Sequence, residues 1–329
     1  MELVEAPRPD ASSVGPREVL LRVKAVGICR TDIHILDGRF PQVQPPRVLG
    51  HEIAGIVEHV GSQVARVRTG SRVTCDSVVG CGQCHFCRAG SRQFCVTGYE
   101  LGFTRDGGCQ EWLILPEENV HPIADSISME EAAILDMEVY AALRKPGIRS
   151  SDIVLIEGPG PAGLVAIQVA RILGARRVLL SGDSEARLEL GKSLGVDRAI
   201  HIHKEDLTQV VQKETQGRGA DLVMDCAGTA ESLRQALEAV APGGRVVLYG
   251  VYPDPLPQVS ILPVILKDLV VYGSLSDRKY WEEVIALVES GRLNLKRLIT
   301  HTFPIEESAK AYEYVRHQED GALKVVLQL

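Results

Sequence analysis

The sequence contains no apolar run near the roughly 18 residues that a membrane-spanning helix needs, and its start, MELVEAPRPD, lacks the basic and apolar regions of a signal peptide. Basic residues are in the minority, since 36 Lys and Arg stand against 43 Asp and Glu and the formal net charge is -7. A nucleic-acid footprint needs a basic face. These absences exclude membrane and nucleic acid from the expected partners and predict a protein of the reducing cytoplasm. Aromatic residues, at 5% of the chain, give no hint of a large ring-binding pocket.

What the chain does contain is material for two domains. Its 329 residues exceed one ordinary domain of roughly 100–200 residues, and 45% of them are apolar. From Glu18 to about Pro122 the sequence is cut into short β-rich runs, such as VLLRVKAV and IAGIVEHV, separated by Gly, Pro and Asp. After about Val139, strands alternate with helices, as in IVLIEG, LVAIQVARILG and RVLLSG. This order predicts an α/β protein with a mostly-β part and a doubly wound parallel sheet.

Four of the eight cysteines are crowded into one loop, GCGQCHFCRAGSRQFC. They are Cys81, Cys84, Cys87 and Cys95, with the spacing C-x2-C-x2-C-x7-C. Four thiolates so close in sequence can complete a tetrahedral shell around zinc and leave no open position. Disulfides do not suit a reducing compartment, and nothing else in the sequence indicates the electron transfer of an Fe-S cluster. The loop predicts a structural zinc site.

A glycine-rich turn follows an apolar strand in IVLIEGPGPAGLVAIQVARILGA. Gly158, Gly160 and Gly163 have the G-x-G-x-x-G spacing of a dinucleotide-binding turn. Gly158 permits the tight turn, Gly160 lets the backbone approach a pyrophosphate, and Gly163 allows close packing of helix on sheet. The helix that follows opens with Pro161 and Ala162, and its free N–H groups favour an anion. The alternative is a glycine turn with only a structural role.

A residue that reads the ribose is expected at the end of the next strand, about 20 residues on. There the segment RRVLLSGDSEAR contains Asp183. A carboxylate at this place accepts hydrogen bonds from the ribose hydroxyls and repels a 2′-phosphate, which favours NAD over NADP. An exposed aspartate in a turn is the alternative.

Two short motifs near the N-terminus combine unlike metal ligands with proton carriers. GICRTDIH and LGHEIAG contain, in order, Cys29, Thr31, Asp32, His34, His51 and Glu52. One thiolate and one imidazole are half of an open zinc site. In isolation, a cysteine or histidine of this kind is more often a packed core residue.

Taken in order, GICRTDIH, GHE, the four-cysteine loop, GPGPAG and the ending LITHTFPIEE…GALKVVL resemble the zinc-containing medium-chain dehydrogenase/reductase family, which includes alcohol, sorbitol and threonine dehydrogenases. The resemblance covers nearly the whole chain. It implies a GroES-like catalytic domain over residues 1–138 and 276–329, and a Rossmann coenzyme domain over 139–275. It also implies a catalytic and a structural zinc ion in each chain, and a homodimer or homotetramer in which LVVYGSL near position 272 lies at the subunit interface.

The resemblance implies that Cys29 and His51 hold the catalytic zinc. A third ligand stands just before the coenzyme domain, in AAILDMEVYAAL, where the family has Cys, Glu or Asp. We favour Asp136, because the LDM string resembles bacterial secondary-alcohol dehydrogenases, and Glu138 is its competitor. Glu52 is expected behind the metal or in its shell.

The same resemblance assigns roles around the zinc. Asp32 would hydrogen-bond the far nitrogen of His51, and Arg30 would contact the coenzyme pyrophosphate or else be a surface charge. Thr31 would take the proton of the substrate hydroxyl and pass it through the coenzyme ribose to His34. Zinc would lower the pKa of that hydroxyl, so that an alkoxide forms and hydride leaves for the nicotinamide.

These features predict a zinc-dependent oxidoreductase that transfers hydride between a secondary alcohol or polyol and NAD(P), with NAD favoured. A threonine or amino-alcohol dehydrogenase of the same family is the first alternative. A zinc-binding scaffold that has lost its catalytic metal is the second, and the presence of Cys29, Thr31, His51 and Glu52 argues against it.

The chain departs from the family at two points. Members with a clear NAD preference carry the ribose carboxylate where this chain has Gly182. NADP-using relatives often have glycine there, but SGDSEA supplies no Arg or Lys for a phosphate. The chain also begins about one β-strand later than its relatives, which would leave an unpaired sheet edge.

Overall fold

The computed structural model describes residues 1–135, 137–253, 255–256, 259–275 and 278–329. For Met137 it describes only the backbone. The chain folds into two compact units, Met1–Leu135 with Arg278–Leu329, and Asp136–Asp277. The domain boundaries expected from the sequence, at 138/139 and 275/276, stay predictions. None of the described helices is long and apolar enough to cross a membrane.

The described strands and helices follow one another along both units. The strands are β1 (Glu18–Ile28), β2 (Glu52–Val60), β3 (Arg72–Cys75), β4 (Val78–Val79), β5 (Tyr99–Glu100), β6 (Trp112–Pro116), β7 (Val120–Pro122), β8 (Ile153–Glu157), β9 (Arg177–Gly182), β10 (Arg198–His201), β11 (Ala220–Asp225), β12 (Val240–Leu248), β13 (Val270–Gly273), β14 (Ile299–Pro304) and β15 (Lys324–Gln328). The helices are α1 (Arg30–Leu36), α2 (His85–Arg88), α3 (Met129–Ala133), α4 (Met137–Arg144), α5 (Pro161–Ile172), α6 (Glu185–Ser193), α7 (Leu207–Glu214), α8 (Ala230–Ala239), α9 (Leu262–Leu266), α10 (Trp281–Glu289) and α11 (Ser308–His317).

The first unit is built on a sheet whose described strands run in the order β14-β15-β1-β2-β3-β7, with β6 also paired to β1. Strand β1 is its centre, because β15, β2 and β6 all pair with it in antiparallel fashion. Its apolar side chains pack with those of neighbouring strands and α11 into a core that includes Leu21, Val26, Ile53, Leu115 and Tyr312. The end of β1 leads directly into the CRTDIH segment.

The second unit contains a parallel sheet whose described strands run in the order β10-β9-β8-β11-β12-β13. The four inner strands, β9, β8, β11 and β12, are mostly apolar and buried, as in sheets that helices cover on both faces. Leu155, Leu179, Val223 and Val246 are fully buried in the core. The strand order reverses between β8 and β11. Open α/β sheets bind ligands at the carboxyl ends of their strands at such a switch point. The prediction of an α/β protein with a mostly-β unit and a doubly wound parallel sheet is confirmed.

Candidate active site

Three candidate metal ligands converge at the end of β1. The Cys29 thiol, an imidazole nitrogen of His51 and a carboxylate oxygen of Glu52 all lie within 4.8 Å of one another. Cys29 comes directly after β1, whereas Glu52 is the first residue of β2 and pairs with Gly27 of β1. The antiparallel pairing of the two strands therefore brings together the two motifs that the sequence keeps apart.

Asp32 is fully buried beside His51. Its Oδ1 lies 3.4 Å from His51 Nδ1, and its Oδ2 accepts a hydrogen bond of 2.9 Å from the backbone N–H of Cys29. Burial alone would lower the pKa of His51, but the Asp32 carboxylate and the Cys29 thiol raise it well above its ordinary value. Surroundings that favour a positive ring also favour a metal cation in place of the proton. With Nδ1 turned to Asp32, Nε2 is left for the metal, so these residues fit a zinc ion.

Thr31 and His34 lie on the same face of α1, three residues apart. Oγ1 of Thr31 is 3.5 Å from Sγ of Cys29, next to the candidate metal ligands. Nδ1 of His34 is buried and has no hydrogen-bond partner in the described part of the chain. Burial, together with the positive charges of Arg39 and Arg30, lowers the pKa of His34. The ring is therefore neutral at pH 7 and can accept a proton.

The expected roles of Arg30 and of the third metal ligand stay untested. The Arg30 guanidinium donates to the backbone carbonyls of Val315 at 3.3 Å and Arg316 at 3.2 Å, and its contact with a pyrophosphate stays a prediction. Asp136 lies outside the described residues. Glu138 stands in the first turn of α4 in the second unit. The choice of third ligand therefore also stays a prediction.

Sequence reasoning missed Lys324 on β15. Its Nζ lies 2.5 Å from Oε1 of Glu52, although the residue is only 8% exposed. Lysine is almost never buried without a partner, so the single charge within the apolar segment LKVVLQL was the available signal.

Two phenylalanines that the sequence did not single out also stand beside the cluster. The ring of Phe103 is 5.7 Å from that of His51 and 5.6 Å from that of Phe40, measured between centroids. Phe40 in turn is 6.5 Å from the ring of His34. The candidate ligands are thus bordered by an apolar wall despite the low aromatic content of the chain.

The four cysteines of the predicted structural site do come together. Sγ of Cys81 is 4.0 Å from Sγ of Cys87, and Sγ of Cys84 is 3.8 Å from Sγ of Cys95. Four sulfurs about 2.3 Å from a zinc ion at tetrahedral angles are about 3.8 Å apart. Backbone N–H groups also donate to these sulfurs, and the one on Cys81 helps to lower the pKa of Cys95 to about 6. This loop fits a closed, structural zinc site.

The glycine-rich turn has the geometry that its motif predicts. Gly158 has a φ of +92°, which a side chain would strain, and a Cβ on Gly163 would lie 2.0 Å from the carbonyl oxygen of Gly158. A Cβ on Gly160 would meet nothing within 4 Å, so this side of the turn is open to a ligand. Helix α5 starts at Pro161, and no side chain caps its first turn, which includes Ala162. Its N–H groups are thus suited to a phosphate.

The end of β9 explains why glycine occupies position 182, where the family resemblance implies a carboxylate in members that prefer NAD. A Cβ on Gly182 would lie 2.3 Å from Cδ of Pro159. Proline is rigid, so no side chain fits at this position while the GPGPAG turn keeps its shape. Asp183 follows directly and is exposed. A carboxylate near this turn can therefore come from Asp183 but not from position 182.

A buried pair of acids lies at the switch point of the parallel sheet. Glu157 of β8 and Asp225 of β11 are registered partners at the carboxyl ends of their strands. Asp225 accepts hydrogen bonds from Ser232 Oγ at 2.8 Å and Tyr252 Oη at 2.6 Å. Neither carboxyl oxygen of Glu157 has a hydrogen-bond partner among the described residues. Burial, and next the negative charges of Asp225 and Glu231, raise the pKa of Glu157 well above its ordinary value.

Comparison with known families gives two matches, one within the first unit and one mostly within the second. Residues 15–125 match the alcohol dehydrogenase GroES-like domain. Residues 161–290 match the zinc-binding dehydrogenase domain.

Curated relatives and solved structures cover the chain almost completely. It is 37% identical to L-threonine 3-dehydrogenase of Pyrococcus abyssi, over 100% of this chain and 95% of that one. It is 32% identical to sorbitol dehydrogenase of Halalkalibacterium halodurans, over 98% of this chain and 94% of that one. A zinc-binding dehydrogenase of Sinorhizobium meliloti, solved with NADP bound, is similar with a TM-score of 0.88 and 30% identity, over 99% of this chain and 94% of that one.

Replacement of Cys87 by serine should destabilise the first unit, because a structural zinc ion contributes its binding energy to folding. We expect the melting temperature of Cys87→Ser to fall by about 10 °C or more, with one zinc ion lost per chain. Calorimetry and metal analysis measure both. Cys226→Ser, which changes a cysteine outside both clusters, is the matched control. Unchanged melting and zinc content in Cys87→Ser would contradict the structural assignment.

Replacement of Glu157 by glutamine should stabilise the protein in a pH-dependent way. Because folding raises the pKa of Glu157 above its ordinary 4.5, the folded state binds this proton more tightly than the unfolded chain, and wild type loses stability as pH rises above 4.5. Glu157→Gln lacks this loss. Its advantage in the free energy of unfolding should be small at pH 5 and reach about 1–3 kcal/mol at pH 8, the cost of an unpaired buried group.

Chemical denaturation of Glu157→Gln and wild type at the two pH values measures this difference. Glu189→Gln, at an exposed glutamate of α6, is the control and should show no such trend. An equal effect of Glu157→Gln at pH 5 and pH 8 would exclude ionisation of Glu157 as the cause.

Proposed function

The chain belongs to the zinc-containing medium-chain dehydrogenase/reductase family, and on this premise we propose that it transfers hydride between a secondary alcohol or polyol and a nicotinamide dinucleotide. The observation that carries the proposal is the convergence of Cys29, His51 and Glu52 within 4.8 Å. We assign the catalytic zinc to Cys29 and His51, with Asp136 as third ligand and Glu52 beside them. A zinc ion bound there supplies a Lewis acid with one open position, which favours ionisation of a substrate hydroxyl.

The chain's own residues would orient this centre and move the proton. Asp32, whose Oδ1 lies 3.4 Å from Nδ1 of His51, would orient the ring so that Nε2 is the nitrogen left for the metal. Oγ1 of Thr31, 3.5 Å from the Cys29 sulfur, is placed to accept the hydroxyl proton of the substrate. His34, neutral because burial lowers its pKa, is the next acceptor on the same face of α1.

The substrate class follows from two relatives. One is named for sorbitol, a polyol, and the other for L-threonine, and both compounds carry a secondary hydroxyl. We propose a secondary alcohol or polyol as the substrate. The greater identity to the threonine enzyme, at 37% against 32%, makes an amino alcohol such as threonine the second candidate.

We propose NAD as the preferred coenzyme, held at Gly158, Gly160 and Gly163. Asp183 supports this choice, because its carboxylate would accept hydrogen bonds from ribose hydroxyls and repel a 2′-phosphate. Pro159 leaves position 182 without room for a side chain, so Asp183 is the acid available for this role. The similar structure from Sinorhizobium meliloti holds NADP. We therefore expect Asp183 to determine whether this chain prefers NAD or NADP.

We propose further that the chain forms homo-oligomers through its second unit. Strand β13 is the last described strand of the parallel sheet, and an unpaired edge is a template for another chain. Exposed apolar side chains surround it, namely Ile261, Ile265, Leu266, Val270 and Val271. A patch of this kind marks a protein interface, and sedimentation of the intact chain tests the assembly.

The absence of disulfides suits a cytoplasmic location. In the part of the chain that the structure describes, none of the eight cysteines, from Cys29 to Cys226, forms a disulfide. Reducing compartments keep thiols in this state and available for zinc, and we propose the cytoplasm on this ground.

Activity and metal content test the proposed function together. Purified protein is offered NAD and NADP with secondary alcohols, polyols, cyclitols and threonine, before and after treatment with a chelator. We expect oxidation of a secondary hydroxyl and two zinc ions per chain. Cys29→Ala should lose at least about 1,000-fold in turnover, because metal-centred charge stabilisation is worth several kcal/mol, while melting and dinucleotide binding change little.

Glu189→Gln, at an exposed glutamate of α6, serves as the control here and should retain its activity. Full activity in Cys29→Ala would refute the proposed centre. One zinc ion per chain, without turnover of any substrate, would instead favour a scaffold protein.

Replacement of Asp183 by asparagine should reduce the preference for NAD. Loss of a hydrogen bond to a charged acceptor, worth about 1.5–3 kcal/mol, should raise KM for NAD about tenfold or more, and KM for NADP should fall because its phosphate is no longer repelled. The ratio of kcat/KM for the two coenzymes measures the change. Glu185→Gln removes an exposed carboxylate two residues away, paired with Lys204, and should leave the ratio unchanged. An unaltered ratio in Asp183→Asn would show that Asp183 does not read the ribose.

A further inference from the structure

We propose that Lys324 is a positioning residue that holds the Glu52 carboxylate back from the candidate catalytic metal, so that one coordination position stays open to substrate. The inference rests on the proposed function, since it requires a metal ion at Cys29 and His51. It assigns a purpose to a buried charge that the mechanism above leaves unused.

Strand register places the two side chains on one face of the sheet. Glu52 of β2 and Val326 of β15 both pair with Gly27 of β1, one from each side. Lys324 stands two residues before Val326, and side chains two residues apart in a strand point to the same face. Lys324 and Glu52 therefore flank β1 on the face where Gly27 has no side chain.

The bare backbone at Gly27 provides the space in which the pair meets. A Cβ on Gly27 would lie 2.0 Å from Oε2 of Glu52 and 2.9 Å from Cγ2 of Ile134, so any larger residue would displace the carboxylate. Across this gap, Oε1 of Glu52 lies 2.5 Å from Nζ of Lys324. Oε2 is buried and has no hydrogen-bond partner in the part of the chain that the structure describes. Glu52 thus has one oxygen held by the ammonium and one left over.

Stability alone does not account for this ion pair. The side chains of Lys324 and Glu52 are 10% and 20% exposed, and ion pairs so removed from water contribute about as much as apolar residues of similar size. Their position next to Cys29 and His51 gives a different account. The positive charge of the Lys324 ammonium offsets the negative charge of the Glu52 carboxylate. Glu52 is therefore a weaker ligand for a metal cation.

This electrostatic role predicts that removing the charge of Lys324 makes the site hold its metal more tightly. If Lys324 is replaced by an uncharged residue, Glu52 becomes a buried, unbalanced carboxylate beside the metal. Glu52 should then bind the metal permanently, so that the metal is held more tightly while substrate is excluded. A residue that served only the packing of the site would have the opposite effect on metal retention.

The test compares zinc-loaded Lys324→Met and Lys324→Gln with zinc-loaded wild type. A chelator extracts the zinc in the presence of a zinc-responsive dye, and the phase that belongs to this centre is the one missing in Cys29→Ala. Both variants should release this zinc about tenfold more slowly, at the lower end of what residues behind metal ligands contribute, and kcat should fall by a similar factor. Lys324→Gln keeps a donor and a long side chain, in case Lys324→Met does not fold.

Three further comparisons test whether the effect depends on the charge of Lys324 and acts through Glu52. Lys324→Arg retains both the charge and the donors and should release zinc at the rate of wild type. Lys310→Met removes an exposed lysine paired with Glu307 and should also have no effect. In a Glu52→Gln background, Lys324→Met should no longer slow release, because the ligand on which Lys324 acts is missing.

The results that would contradict the role of Lys324 differ from those that would contradict the metal centre itself. Faster release, or a wild-type rate, in Lys324→Met and Lys324→Gln would overturn the role of Lys324 and leave the metal centre in place. Slow release that persists in the Glu52→Gln background would also overturn it. If Cys29→Ala and wild type release zinc with the same phases, the metal centre itself, and with it the proposed function, is wrong.

Discussion

The antiparallel pairing of β1 with β2 is the interaction on which the first unit depends. Gly27 and Glu52 face each other across it, so that Cys29, just beyond the end of β1, meets His51 and Glu52 at the beginning of β2. The apolar side chains of both strands are buried in one core, and a register slip by one residue would turn them to the other face of the sheet. The same burial that stabilises the fold therefore fixes the positions of the candidate ligands. This arrangement suits a metal centre, which requires ligand positions accurate to a fraction of an ångström.

The second unit offers backbone N–H groups to its expected ligand, whereas the first unit offers side chains to a metal ion. At the carboxyl end of β8, glycines open the turn, and the start of α5 offers N–H groups to an anion. An acidic chain, with a net charge of -7, must hold an anionic coenzyme by such local means. The packing of Pro159 against Gly182 also shows how one residue of such a turn constrains the next strand.

Whether a feature of the site could be predicted from the sequence depends on how far apart its residues lie along the chain. The four cysteines and the glycine turn were predictable because each lies within one short segment, where spacing reflects geometry. The ion pair of Lys324 with Glu52 joins residues 272 positions apart, and no local pattern connects them. The registered acids Glu157 and Asp225 were equally hidden, because the order of strands in a parallel sheet must be known before two strand ends become neighbours.

Charge balance connects the residues that were predicted with the one that was not. When a metal is bound, Cys29 is a thiolate, and together with the carboxylates of Asp32 and Glu52 it contributes three negative charges at the centre. Lys324 contributes one positive charge and so reduces the excess of negative charge that these groups place around one zinc ion. In surroundings of low polarity an unbalanced charge is costly. Without Lys324 the excess carboxylate could be neutralised only by binding a proton or the metal. A lysine in the last strand of the chain thus leaves the centre enough negative charge to hold zinc, but not so much that a protein carboxylate fills the position that a substrate needs.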